Sequence, residues 1–389
     1  MREPLRLLVE GWRFLQHSHG LLNHCQLDEL CRRPGIELRH RDVPFLMTHW
    51  RAVRGLFDAA SEARVGAIAA PEAGWTPQAV LRMGIPLDLR PLPGARVYAF
   101  TATEFGILRK PLLRLMGVPS LAEPMRSSNV DLLTCSHWSA QGLVRSGADP
   151  ARVKVVALGA DTSVYRPLPA QERAALRAKL GMGDEFVFLN IGAMTRNKGV
   201  VPLLRAFAAL LERHPQARLV LKGSDKLYGS RETVRKIAAE ALQGAEAARV
   251  AERIRYIGEE LPGAEVAKLY QSADAYVSPY LAEGFNLPVL EAMACGLPVI
   301  CTAGGSTDDF VSDDCALRIR SALSTAEMDG ETVHFHNPDA EHLVACMHEA
   351  IVSDALRARA LEAGPRHVAA HYTWAHWVDG VLKLLVAPA

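Results

Sequence analysis

A chain of 389 residues is longer than one ordinary hydrophobic core organises, and at roughly one domain per 150 residues two domains are the starting expectation. Apolar side chains make up 49% and charged ones 22%, which excludes a disordered or fibrous chain. Forty-four basic against 43 acidic residues leave a formal charge of +1, which excludes a global field that would draw the protein to nucleic acid or to an anionic membrane. Seven cysteines, odd in number and without a C-x-x-C pair, disfavour a disulfide framework and a zinc site, so a reducing cytoplasm fits best.

The N-terminal Met1–Pro4 is followed by Leu5–Val9, a strand's length of apolar residues with no cleavage site, so no signal peptide is expected, and no apolar run reaches a bilayer span. From there short apolar runs alternate with helical periodicity, which predicts βα units, parallel sheets and an α/β fold. The expected strands of the first half are Leu5–Val9, Ile36–Arg41, Val65–Ala70, Arg96–Thr101, Val130–Cys135 and Val153–Leu158, with a helix from about Leu21 to Cys31. The stretch Ile107–Met116 mixes Arg109, Lys110 and Arg114 with apolar residues; a core-packed helix with a basic outer face is the favoured reading, and docking on anionic lipid the alternative.

Asp161–Pro169, with two prolines and turn-forming Asp and Ser, reads as a linker, which sets the expected domains at 1–163 and 164–373. Gln171–Leu180 then opens the second domain as a helix. Its expected strands are Phe186–Ile191, Ala217–Leu221, Ile254–Ile257, Ala275–Ser278, Pro298–Cys301 and Ala316–Ile319, and beyond Pro338 the chain is expected to be helical to its end.

Two loops carry the chemistry. Asn190–Gly199 follows a strand and precedes an amphipathic helix, so it sits where α/β sheets bind ligands, and Arg196 and Lys198 in it suit an anionic group, a solvated basic turn being the alternative. Ser278–Ile300 reads as strand, loop, helix, turn, strand. Gly284 lies just ahead of the helix and Pro288 in its first turn, so the backbone amides of Gly284, Phe285, Asn286 and Leu287 face an anion or another electronegative group. Glu283 and Glu291 flank that helix start, and carboxylates beside an anion site make sense where they grip vicinal hydroxyls of a sugar or ribose. Either residue alone reads equally as a helix-start or surface Glu. Asp308, Asp309, Asp313 and Asp314 lack the downstream ligands of a cation cage and read as solvated loop acids, so no metal is expected.

The string from Glu283 to Glu291, with Gly284-Phe285 and the downstream Gly296-Leu297-Pro298-Val299, resembles the E-x7-E signature of the glycosyltransferases called family four. Cys135–Asp161, Gly304-Gly305-Ser306 and Tyr372-Thr373-Trp374 extend the resemblance over most of the chain. It implies two Rossmann-like domains facing across a cleft (the GT-B fold), with a final helix of about 374–389 crossing back to the N-terminal acceptor domain. It implies a nucleotide diphosphate sugar as substrate, no cofactor or metal, and retention of anomeric configuration. By position, Glu283 contacts the donor sugar, Gly284–Leu287 the hydroxyls and phosphate, Glu291 the ribose, and Lys198 the diphosphate. The family's arginine directly after the glycine is replaced here by Ala193, and Arg196 is the candidate substitute. Gly11 matches the family's glycine-rich loop against the donor phosphates, and His17 and Ser18 would then face the cleft, although an isolated histidine is as often structural. The family's cleft histidine is absent; Glu104 is the nearest ionisable group, a surface position is equally open for it, and the acceptor-side base is unassigned. Base contacts are expected around Gly258 to Pro262. The acceptor, whether glycan, small molecule or lipid-linked, is open, and a non-catalytic nucleotide-sugar-binding subunit or an epimerase or phosphorylase on the same fold is the alternative function.

Overall fold

The computed structural model describes residues 3–386; Met1, Arg2 and the last three residues of the expected final helix lie outside the described residues. The chain divides into two compact units: one runs up to Leu158 and includes Ala326–Val333 and the segment from Trp374, the other comprises Gly159–Thr325 and His334–Thr373.

The first unit is built on six parallel strands, β1 (Leu5–Gly11), β2 (Ile36–Asp42), β3 (Ala79–Arg82), β4 (Arg96–Phe100), β5 (Val130–Thr134) and β6 (Val153–Val155), in the order β2-β1-β3-β4-β5-β6. Leu7, Val9 and the apolar residues of β3 are fully buried, the near-continuous apolar run needed by a parallel strand covered on both faces. Strand order reverses between β1 and β3. The helix Trp374–Val386 belongs to this unit, where Trp377 Nε1 donates to Gln26 Oε1 at 3.1 Å.

The second unit holds β7 (Val187–Ile191), β8 (Arg218–Lys222), β9 (Ile254–Ile257), β10 (Ala275–Ser278), β11 (Val299–Thr302) and β12 (Ala316–Ile319), again all parallel, in the order β12-β11-β10-β7-β8-β9. The sheet starts in its middle, grows outward through β8 and β9, and resumes at β10 on the other side of β7. That reversal separates the loops leaving β7 and β10 and opens a crevice at their carboxyl ends. The helix Val200–Leu211 covers one face with Leu203, Leu204, Phe207, Leu210 and Leu211, all essentially buried, each contributing about 1.5–3 kcal/mol of apolar burial. Among the described residues no helix is long and apolar enough to cross a membrane.

One expected strand is corrected, and two elements appear that the sequence reading did not include. Val65–Ala70 is not a strand: Asp58 caps a helix, Ala59–Gly66, by accepting from the Ser61 amide, and a short apolar run cannot distinguish a helix end from a strand. The strand actually used there is Ala79–Arg82, whose Arg82 is buried against Glu10 at 3.0 Å. The segment after β12 forms a hairpin, β13 (Ser321–Met328) and β14 (Glu331–Pro338), turned by Asp329 and Gly330, both at positive φ (55° and 71°). Its tip counts with the first unit, where Glu331 accepts from Arg109 and from the Lys110 amide, and Asp329 pairs with Arg109 at 2.7 Å. Two of the three cations in Ile107–Met116 are therefore engaged within the protein, Lys110 also reaching the Gly330 carbonyl. The border between units falls at Leu158/Gly159, ahead of the proline-rich linker.

Candidate active site

The loops leaving β7 and β10 are tied by one residue. Asn197 accepts from the amides of Leu281 and Ala282 through its backbone oxygen, at 2.8 and 3.2 Å, and its side chain donates to the Ala282 carbonyl at 3.0 Å. Gly199 makes this possible: its φ is +75°, and a Cβ there would lie 1.9 Å from the Pro279 oxygen. With the loops fixed, Lys198 Nζ lies 2.9 Å from Glu283 Oε2, both side chains largely enclosed. The two residues singled out from separate stretches of sequence thus meet at the reversal of the second sheet. Arg196 is not brought to them; its guanidinium pairs with Glu240 on the exposed surface. Ala193 offers its carbonyl to Ser230 Oγ at 2.8 Å.

Beyond Glu283 the chain turns sharply into the helix Leu287–Ala294. Asn286 adopts the left-handed conformation (φ 74°), which asparagine tolerates better than most residues, and its side chain donates to Ser278 Oγ at 2.9 Å. Pro288 lies in the first turn, as its missing N–H allows. Phe285 turns inward and stacks on Phe310 with ring centroids 4.6 Å apart, so its side chain is core and only its backbone belongs to the loop.

Glu291, one turn into this helix, accepts from Tyr270 Oη at 2.8 Å and is also hydrogen-bonded by Tyr165. Burial raises its carboxyl to about 7, while the two phenols pull the other way. Sequence gave no warning of these partners, because Tyr165 and Tyr270 come from distant segments. The same sheet edge holds Lys222, buried at the end of β8, whose ammonium donates to the Gly223 carbonyl and whose pKa is lowered by desolvation. Next to it Asp225 accepts from Tyr256 Oη at 2.6 Å and pairs with Arg231, and Gly258 packs so close that a Cβ would sit 1.9 Å from the Asp225 carboxylate. Asp308 and Asp313 face Arg318, at 3.8 and 3.1 Å.

In the first unit the reversal between β1 and β3 is occupied by the loop after Gly11. A Cβ on Gly11 would meet Asn23 Nδ2 at 2.9 Å, so close side-chain packing accounts for that glycine within the unit. The following helix is Ser18–Leu30, three residues longer at its start than its periodicity indicated, because His17 caps it: His17 Nδ1 accepts from the His19 amide at 3.2 Å. Burial, with His19 adding repulsion, pushes the His17 imidazole down to about 3. His19 lies against Met83 O at 3.2 Å, and burial lowers its pKa as well. The only local sign of His19 was the His-x-His spacing. Ser18 is exposed in the helix's first turn, and the Glu104 side chain is exposed while its carbonyl accepts from Trp138 Nε1 at 2.8 Å.

Two parallel Rossmann-like units, the second with a cation, a carboxylate and a helix start at its reversal, define the class: this is the GT-B fold. It is shared over 99% of the chain with Anabaena HepE, solved in complex with UDP and glucose (TM-score 0.70, 14% identity, 100% of that chain), and over 98% with sucrose-phosphate synthase from Thermosynechococcus elongatus (TM-score 0.68, 16% identity, 98% of that chain). Residues 172–367, half of the chain, match the family described as Glycosyl transferases group 1, and the protein belongs to that family. Among curated relatives it is similar to the D-inositol 3-phosphate glycosyltransferase of Rhodococcus jostii, 32% identical over 241 residues that cover 61% of this chain and 48% of the relative. The enzyme of the same name from Corynebacterium jeikeium is 30% identical over 272 residues, 68% of this chain and 59% of the relative. The chain spans about half the length of the curated relatives it matches.

Proposed function

We propose that the protein is a glycosyltransferase that moves a sugar from a nucleotide diphosphate sugar to an acceptor hydroxyl. The observation that carries this is the enclosed Lys198–Glu283 pair at the reversal of the second sheet, beside the start of the helix Leu287–Ala294. In this reading the diphosphate takes Lys198 from Glu283, and the ammonium stabilises the negative charge that grows as the C1–O bond of the donor breaks. Glu283, released, accepts from hydroxyls of the donor sugar. The amides of Gly284, Phe285, Asn286 and Leu287 hold hydroxyl and phosphate oxygens, and Glu291 accepts from the ribose. The lysine performs the work that a divalent cation does in other transferases, so transfer proceeds without metal, and the anomeric configuration is retained.

The test is transfer from UDP-, GDP-, ADP- and TDP-sugars in EDTA, with D-inositol 3-phosphate, the acceptor in its relatives' name, among the acceptors. Turnover with one donor and an NMR-assigned product of unchanged anomeric configuration is expected; an inverted product removes the claim of retention. Arg196→Ala decides the role of Arg196 itself: a loss comparable with that of Lys198→Ala assigns it to the diphosphate, and unchanged turnover leaves it with Glu240.

One observation favours a second reading, a nucleotide-sugar-binding subunit without turnover: Ala193 stands where the resemblance calls for arginine. Tight nucleotide binding with neither transfer nor donor hydrolysis across the acceptor panel would establish it.

A further inference from the structure

The loop that fills the reversal of the first sheet carries two imidazoles whose protons are dictated by their neighbours. The His19 amide can only donate, so His17 Nδ1, which receives it, holds a lone pair and the ring proton sits on Nε2. The Met83 carbonyl can only accept, so His19 Nδ1 carries the proton and its Nε2 holds the lone pair. The rings are thus opposite tautomers, with centroids 5.7 Å apart, and neither Nε2 has a hydrogen-bond partner among the described residues.

Their setting is aromatic and without net charge. Trp12 stands edge-on to His17 at 5.4 Å and within 6.3 Å of His19, Trp50 lies 5.2 Å from His17, and Phe100 backs His19 at 5.6 Å. Trp12 is itself pinned by a 2.9 Å bond from Nε1 to the Pro44 carbonyl. The cations of the neighbouring loops are engaged elsewhere: Arg13 on Asp42, Arg54 over the Phe14 ring at 3.3 Å, and Arg51 on the carbonyls of Thr48 and Trp50 at 2.7 and 2.8 Å.

We propose that His17 and His19 together form a hydroxyl-reading pair for an uncharged sugar ring, His17 Nε2–H donating to a ring hydroxyl and His19 Nε2 accepting from it or from its neighbour. Two hydrogen bonds of about 2.8 Å each span about 5–6 Å, and the ring centroids lie 5.7 Å apart. Only a group that both gives and takes a hydrogen satisfies both nitrogens, which a hydroxyl does and an ionised phosphate or carboxylate oxygen does not. The flanking tryptophans suit the apolar face of such a ring. This deepens the transferase reading by naming the acceptor's chemistry, and only its kinetic test rests on that reading.

Long-range ¹H–¹⁵N correlation spectra of histidine-labelled protein at pH 7 test the pair directly. His17 protonated at Nε2 and His19 at Nδ1 is expected; the same tautomer on both rings, or an imidazolium on either, overturns the proposal. Methyl hexosides should then shift both Nε2 signals while hexose 6-phosphates add nothing to the effect, and silence toward every hexoside rejects the site even if the protein turns over another acceptor. In kinetics with the best hexoside, His19→Asn keeps the donor to Met83 but removes the Nε2 acceptor, and should raise the acceptor KM about fivefold to tenfold with the donor KM unmoved. His19→Gln, which places an oxygen near Nε2, should recover most of that loss. Equal effects of both variants, or a donor KM that moves in step, reduce His19 to a packing residue.

Discussion

Lys198 and Glu283 neutralise each other, 2.9 Å apart and largely shielded from water. Such a pair is costly to break one-sidedly, because the partner is left buried and uncompensated. On the proposed function, the donor diphosphate is the better anion for the lysine and takes it from Glu283. Lys198→Met should therefore lower kcat about 10²- to 10³-fold with unactivated donors. It should lose much less with a synthetic donor whose leaving group is a stable anion; an equal loss with both would place Lys198 outside the leaving-group interaction. Glu291 behaves differently. Its carboxyl is raised from 4.5 to about 7 by burial, so the folded protein binds this proton more tightly than the unfolded chain. The stability it contributes is present below about 4.5 and is lost as pH rises through about 7. Urea midpoints of the nucleotide-free protein should accordingly fall across that window, and Glu291→Gln should flatten this fall; an unchanged slope in the variant would exclude Glu291 as its source. The sequence pointed to Lys198, Glu283 and Glu291 as candidates because each sits in a short string with its own chemistry. Their partners were not: Tyr165 and Tyr270 reach Glu291, and Met83 reaches His19, through contacts between distant segments.

The loops that present those residues depend on backbone conformations few side chains allow. Gly199 leads the helix Val200–Leu211 at φ +75° with no room for a methyl group against Pro279, and the Asn197 hydrogen bonds that join the two loops lie just before it. Gly199→Ala should destabilise the protein by roughly 1–3 kcal/mol or more through combined strain and clash. It should also cost donor affinity even at temperatures where the variant remains folded; a folded variant with wild-type donor KM would show that the two loops need not be joined. At this scale the sequence conveyed what local pattern encodes. Ile254–Ile257, Ala275–Ser278 and Ala316–Ile319 are strands at the expected residues, since strands of a parallel α/β sheet are short, largely apolar runs between helices. Ala79–Arg82 escaped because four residues ending in arginine resemble a loop, and only the pairing of Arg82 with Glu10 makes the charge tolerable. The hairpin Ser321–Pro338 escaped because most of its first strand is exposed and carries no apolar alternation, although Asp329-Gly330 is a strong two-residue turn signal.

Over the whole molecule 44 basic and 43 acidic side chains nearly cancel, so anions are not gathered from a distance. On the proposed function, the charge that a nucleotide diphosphate meets is local, enclosed and weakly screened. Raising ionic strength from about 50 to 300 mM should therefore change kcat/KM by less than about threefold, where a steered enzyme loses at least tenfold. If Lys198 and the amides at Gly284–Leu287 supply the positive end of the site, nucleotide binding needs no cation, and whatever binds only the folded state stabilises it by RT ln(1 + [L]/Kd). One nucleoside diphosphate at a hundredfold excess over its Kd should thus stabilise the whole chain by about 2.7 kcal/mol, a rise of several degrees in Tm, equally in magnesium and in EDTA. Loss of the shift in EDTA would mean that a cation completes the diphosphate site. Its survival in EDTA together with its disappearance in Lys198→Met would assign that charge to the lysine, and the nucleotide that gives the shift would name the base.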